Sequence, residues 1–455
     1  MAGLSADTLQ KYCTSFYSDP KNVLAQNVVT KQDPLEVCIT RQSIEETCHV
    51  FTHKIEVEGK PITHQRNSGR CWIFACLNVI RIPFMKQFNL EEFEFSQAYL
   101  FFGIRFLFLE RCNYLLHKVV EIARRGDEHP SGRLLSFLMN EPVADGGQWD
   151  MLVNLINKHG LMPKSYFPDA YSDEHTPRMN SVLRSKVREY TKTLWDCVES
   201  GMGELSLQEK IEEMMGEIYR IVGICLGIPA KSFTWEYYDK NKQYHSVGPV
   251  NAVEFYEKCV KPIFNVDDKI CLVTDPRPSN GYGKLYTVDC LGNMMDGRQT
   301  LYNNQPVELL IKVAVESIKN NEAVWFGCDV AKYFYGSKGY LSLDCLDYKL
   351  VFGTDVCLNL DKANRLIYGE SKMTHAMVFT AVSVDENGEV VKWRVENSWG
   401  DDRGDKGYIV MLKSWFHEFV YEIVVDKKYV PPEVLSVLTQ DPIVLPAWDP
   451  MGALA

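Results

Sequence analysis

The feature that most constrains this chain is a polar, glycine-containing loop that runs straight into an apolar segment headed by a cysteine. The loop is Gln65-Arg66-Asn67-Ser68-Gly69-Arg70, and the segment opens Cys71-Trp72-Ile73-Phe74. Ala75, Cys76, Leu77, Val79, Ile80 and Ile82 follow. They leave no continuous polar stripe, which predicts a helix buried on every side, bent or ended by Pro83. A helix of that kind sits at the centre of a fold, and other elements must wrap it. Its first turn also gives Cys71 a chemical use. Unpaired N–H groups and the positive end of the helix dipole stabilise a thiolate, the nucleophilic form of cysteine. The plain alternative is a small buried side chain filling a gap, and only the rest of the chain can decide between the two.

Two stretches about 300 residues downstream supply partners. One is Met373-Thr374-His375-Ala376-Met377-Val378-Phe379-Thr380, the other Trp393-Arg394-Val395-Glu396-Asn397-Ser398-Trp399-Gly400. Between them lies Asp385-Glu386-Asn387-Gly388, and Asn-Gly between alternating apolar runs signals a hairpin. Folding there brings His375 opposite residues just past Asn397, with the loop or a bulge setting the final register. An Asn side chain can then accept an imidazole N–H and fix its tautomer, so that the other nitrogen serves the cysteine. A buried His or Asn alone is usually a satisfied core group; with Cys71 the three form a set. Trp399 is placed either as a lid over the His–Asn contact or as plain core packing.

These motifs resemble those of the papain-like cysteine peptidases. Gln65 stands six residues before Cys71, the family's spacing between oxyanion glutamine and nucleophile, and Cys71-Trp72 repeats its Cys-Trp pair. A fourth stretch, Asp145-Gly146-Gly147-Gln148-Trp149 with Lys164-Ser165-Tyr166-Phe167-Pro168 beyond it, is similar to the family's Gly-Gly substrate loop and the helix behind it. The resemblance implies that Cys71 attacks, His375 protonates the leaving amine and Asn397 orients the ring. It also implies that Gln65 and the Cys71 N–H hold the oxyanion, and that Gly146 and Gly147 let substrate backbone approach closely. Trp72 and Trp399 support the site. In papain such a thiol has a pKa of about 3–4.

The departures matter as much. Ser68 stands where secreted relatives carry a disulfide cysteine, and residues 1–20 contain no apolar leader run. The Cys71–His375 separation far exceeds the usual spacing of about 130–150 residues. The resemblance therefore implies an α+β fold: a papain-like two-lobed core, one lobe helical and one antiparallel β, carrying large helical insertions. It divides the chain into an extension (1–60), a core in three pieces (61–100, 141–171, 286–430), a helical insertion (101–140), a second insertion for oligomerisation (172–285) and a tail (431–455). In the second insertion, Met179, Val182, Leu183, Val187, Tyr190 and Leu194 recur at helical spacing, and Ser206–Glu209 reads as a capping box for a second helix. The segment 233–247 reads as an exposed aromatic hairpin. Five prolines favour an extended tail. The resemblance sends that tail into the cleft, where Ala455 would meet a substrate's free α-amine. The implied protein is a cytoplasmic, homohexameric aminopeptidase of peptides with a free N-terminus.

Composition excludes several other classes. A net charge of −11 argues against a broad nucleic-acid surface. The longest apolar stretch, Tyr99 to Leu116, is interrupted by Arg105, Glu110 and Arg111, so no membrane span is expected. Fourteen cysteines without paired Cys-x-x-Cys spacing predict buried thiols in a reducing compartment, with neither a disulfide framework nor a metal site, and no cofactor. Two other readings remain. A transglutaminase-like acyl transferase also uses Cys and His, but usually with Asp in the place of Asn397. A non-catalytic or nucleic-acid-binding ring would have no need of the intact set.

Overall fold

The helix headed by Cys71 runs to Gln87, and fourteen of its seventeen residues are buried, as an all-apolar segment requires. In this computed structural model the described residues are 3–41 and 48–453, with the side chains of 101–108 left aside. Pro83 neither ends nor breaks the helix; packing on all sides holds the turn that its missing N–H weakens. Arg81, buried in the same helix, donates to Pro61 O at 2.7 Å and pairs with buried Glu396 at 2.7 Å. That pair ties the helix to the strand that precedes Asn397.

A helical lobe surrounds this helix. Ser96 Oγ accepts from Tyr99 N at 2.8 Å and starts the long helix Gln97–Arg125, which ends at left-handed Gly126. Helix Trp149–His159 packs beside it. Helices Thr176–Glu199 and Glu204–Leu226 form the expected αα-hairpin and lay Leu183, Val187, Leu194, Ile211, Ile218 and Val222 on the molecule's own core, against Gln97–Arg125. Val182 falls off that face and is exposed. The second helix begins at Glu204 behind Gly203, so Ser206 lies inside its first turn and no capping box forms there; Glu204 complements the dipole instead. The aromatic hairpin, strands Phe233–Tyr238 and Tyr244–Val250, is exposed on one face only. Trp235 packs against Phe84, Phe93 and Phe255, while Tyr238 and Tyr244 face outward.

The second lobe is one mixed, mostly antiparallel sheet. Its strands run in the order Ile443–Leu445, Lys284–Val288, Tyr302–Asn304, Lys269–Val273, Val420–Asp426, Val324–Cys328, His375–Val384, Val390–Glu396, Tyr408–Leu412, Tyr340–Leu341 and Phe334–Tyr335. His53–Lys54 pairs with Val382 and Ala381. Strand Lys269–Val273, within the span 172–285, is wholly buried inside the sheet between Tyr302–Asn304 and Val420–Asp426. The hairpin before Asn397 turns at Asp385–Gly388. Gly388 takes φ +81° and Asp385 Oδ1 accepts from Asn387 N and Glu389 N, a longer turn than a two-residue Asn-Gly loop. Bulges at 379–381 and 383–384 set its register.

Outside the lobes, helices Ala6–Ser18 and Pro20–Val29 bury no residue, and Asp19 caps the second of them. The tail is not uniformly extended: Pro432–Leu435 is helical, since proline is tolerated in a first turn, and Ile443–Leu445 then joins the sheet parallel to Lys284–Val288.

Candidate active site

Cys71 is the first residue of its helix and is 2% exposed. The N–H groups of Ala376, Trp72 and Cys71 itself point at its sulfur. Ala376 adjoins His375, so the helix end and the start of strand His375–Val384 meet at the thiol. Burial pushes the Cys71 thiol up to about 12; the three N–H groups oppose that push and the charge of Asp145 adds to it.

His375 opens its strand and is buried. Its Nε2 donates to Asn397 Oδ1 at 2.9 Å, and the same oxygen accepts from Ser398 N at 2.8 Å, which identifies it as the carbonyl oxygen. The proton is thereby assigned to Nε2, leaving Nδ1 as the basic nitrogen. The Trp399 ring lies 4.8 Å from the imidazole, between it and the Phe334 ring. Burial holds His375 down to about 4, with the Asn397 bond acting against it. Both shifts favour the uncharged pair, unlike the depressed thiol pKa foreseen from the helix end, because both groups are buried.

Gln65 is placed by a short stretch that zips onto the Asn397 loop. Its N–H donates to Ser398 O at 2.8 Å, and Gly400 N donates to Thr63 O at 3.0 Å. Its side-chain Oε1 accepts from Ser398 Oγ at 2.7 Å, and Nε2 donates to Ser68 O at 2.6 Å. An amide nitrogen has two protons, so one N–H remains for another acceptor.

Trp72 fills the space between the helix and the Gly-Gly loop. Its Nε1 donates to Asp145 O at 2.7 Å, and a Cβ on Gly147 would come within 2.6 Å of its ring. Gly146 precedes it, on the stretch between Asp145 and Gly147. The tail reaches this loop: Gln148 Nε2 donates to Ala453 O at 2.5 Å, and Gly452 and Ala144 line one cavity. Ala455 lies outside the described residues. Asp145, Gln148, Ser398 and Ala376 escaped notice as individual residues, although each adjoins a motif position; their signal was the motifs themselves.

A helical lobe and a sheet lobe, with cysteine, histidine and asparagine gathered where they meet, define the papain-like fold. The chain belongs to the Peptidase C1-like family, whose model matches residues 3–452. It is similar to bleomycin hydrolase of Gallus gallus, 55% identical over 455 residues and covering 100% of this chain and 99% of that one. Bleomycin hydrolase of Homo sapiens is 54% identical over 458 residues, with the same coverage. Aminopeptidase C of Streptococcus thermophilus is 37% identical, with 100% of both chains covered. The crystal structure of pepw from Lactobacillus rhamnosis matches with a TM-score of 0.94 at 35% identity, covering 100% of both chains.

Proposed function

We propose that the protein is a cysteine aminopeptidase that removes N-terminal residues from peptides through Cys71, His375, Asn397 and Gln65. His375 Nδ1 takes the Cys71 thiol proton, the resulting thiolate attacks the scissile carbonyl, and the Gln65 side-chain amide and the Cys71 N–H stabilise the oxyanion. The C–N bond breaks as His375 delivers its proton to the leaving amine. A water, deprotonated by His375, then cleaves the thioester, releasing the carboxylate and restoring the thiol. Among the described residues, the observation that carries this reading is the convergence at one helix end: the Ala376 N–H on the Cys71 sulfur and the 2.9 Å His375–Asn397 bond.

The tail narrows the cleft beside Gly146 and Gly147 and admits chains by their first residue. Related amides, such as the one implied by the name of the bleomycin hydrolases, fall within the same chemistry. Exposed Leu205 and Ile224 on the second hairpin helix, with Ile228 just beyond its end, suit a homohexamer, and fourteen unpaired cysteines suit the cytoplasm. No helix among the described residues is long and apolar enough to cross a membrane.

Hydrolysis of aminoacyl-fluorophores is the test. Activity lost in Cys71→Ala, together with failure of that variant to take an electrophilic thiol label at the site, is the expected result. Undiminished hydrolysis by Cys71→Ala, or amine incorporation in place of hydrolysis, refutes the proposal. Mass in solution checks the hexamer.

A further inference from the structure

We propose, resting on the reading above, that Asp145 is a positioning residue for the reaction, its carboxylate holding the loop that carries Gln65 and Cys71 against the Gly-Gly loop. A single carboxylate oxygen, Oδ2, accepts from Gly69 N at 2.7 Å and from Thr176 Oγ1 at 2.6 Å. The backbone carbonyl of the same residue accepts from Trp72 Nε1 at 2.7 Å. Asp145 thus grips the chain at 69 and at 72, on both sides of the nucleophile, and ties it to the first residue of helix Thr176–Glu199.

The approach is close enough to dictate the residue at 69. A Cβ there would lie 2.8 Å from the Asp145 carboxyl carbon and Oδ1, so any larger residue would push the carboxylate from this position. One residue upstream, Ser68 O receives the Gln65 side-chain amide at 2.6 Å, and Ser68 Oγ donates to Gln65 O at 2.5 Å. Asp145, Gly69, Ser68 and Gln65 therefore form a continuous linkage from the Gly-Gly loop to the amide that faces the oxyanion. Release of the Asp145 end frees the loop to shift. A misplacement of about 1 Å in a reacting group costs about 10²-fold in rate.

The carboxylate has a second effect that a neutral anchor lacks. An asparagine could present its Oδ1 where Oδ2 now sits and keep both bonds, so the bonds alone do not require a charge. The charge of Asp145 raises the Cys71 thiol and helps a proton stay on the thiol–imidazole pair. Geometry and charge can therefore be separated by two variants of one residue.

The experiment compares Asp145→Ala and Asp145→Asn with the wild-type full chain. It measures kcat and KM for an aminoacyl-fluorophore across pH, and the pH dependence of Cys71 alkylation by iodoacetamide. In Asp145→Ala, kcat falls by about 10²-fold with KM changed only a few-fold. Asp145→Asn recovers most of that loss. It also moves the alkylation profile to lower pH, because a negative charge that raises the Cys71 thiol is gone. Wild-type kcat in Asp145→Ala, or an unmoved alkylation profile in Asp145→Asn, overturns the inference; if Asp145→Ala does not fold, Gly69→Ala, whose Cβ displaces the same carboxylate, takes its place and wild-type kcat there overturns it. Alkylation needs no substrate, so a wild type inactive on aminoacyl compounds refutes the proposed function while leaving the test of Asp145 intact.

Discussion

Asp449 anchors the tail through Arg277 and the turn before Ala453, and on the proposed reading of the tail its removal should convert the specificity. Its carboxylate receives Arg277 Nη1 at 3.1 Å and Nη2 at 2.8 Å, with both side chains less than a tenth exposed. The same carboxylate accepts from Met451 N at 2.9 Å, capping the turn Pro450–Gly452 that leads to Ala453. Arg277 is held from its other side by Asp275, so it is not left bare when Asp449 goes. Each charge-assisted bond is worth about 1.5–3 kcal/mol. With the lower figure for each, and about 1 kcal/mol for the cap, Asp449→Ala weakens tail docking by about 4 kcal/mol. A change of about 1.4 kcal/mol is tenfold, so the undocked population rises by up to about 10³-fold. The remaining holds, strand Ile443–Leu445 and the Gln148–Ala453 bond, keep part of the tail in place. Cleavage inside an N-acetylated peptide, which offers no free amine, should rise by at least about tenfold, while aminoacyl-fluorophore hydrolysis persists. Limited proteolysis of residues 446–453 reports undocking independently. An undocked tail with blocked peptides still uncut refutes the claim that the tail sets exopeptidase action; a tail that resists proteolysis refutes the anchoring role.

Asn397→Ala frees the imidazole from its single tautomer and should lower kcat by about 10²-fold or more, with KM little changed, in steady-state assays of a protein whose thermal unfolding is near wild type. Glu422 lies buried in strand Val420–Asp426 beside Cys271 and Asp150, and burial raises its carboxyl from 4.5 to about 8. The folded state therefore keeps a proton that the unfolded chain releases near 4.5, so stability falls as pH rises between those values, by up to about 5 kcal/mol in all. Glu422→Gln should unfold at the wild-type temperature at about pH 4 and several degrees higher at about pH 9, by calorimetry; equal curves at both pH values reject the assignment.

What could be read in advance followed from strong local signals. The all-apolar run after Cys71 and the helical spacing from Met179 to Leu194 each dictate an element with little help from tertiary structure. The site residues were legible for a similar reason: Cys71 opens one such element, His375 opens a strand and Asn397 follows the next, with the Asp385–Gly388 turn joining the two strands. Other features depended on packing that no short window reveals. Lys269–Val273 is a brief apolar run that becomes a central strand only because Val420–Asp426 and Tyr302–Asn304 flank it. The inward face of Phe233–Tyr238 is decided by Phe84 and Phe93, about 150 residues away in sequence. Pro83 stays helical because its neighbours leave that turn nowhere else to go.

The protonation state of the nucleophile is where local reasoning and the folded environment part company. A helix N-terminus argues for a thiolate, and its N–H groups do act on the Cys71 sulfur in that sense. The same apolar helix that makes the position recognisable also strips water from it, and desolvation is the larger effect, pushing the thiol up to about 12 and the imidazole down to about 4. Neither group is suited to ionising alone in such a site. Moving one proton from sulfur to the imidazole creates both charges together, each neutralising the other, and their attraction grows in a medium of low dielectric constant. Reactivity then rests on the relative placement of residues 71 and 375 more than on either pKa. The Arg81–Glu396 pair, the Gln65–Ser398 zip and the Asn397 bond all fix that placement, and under the proposed mechanism they serve the chemistry without touching the substrate.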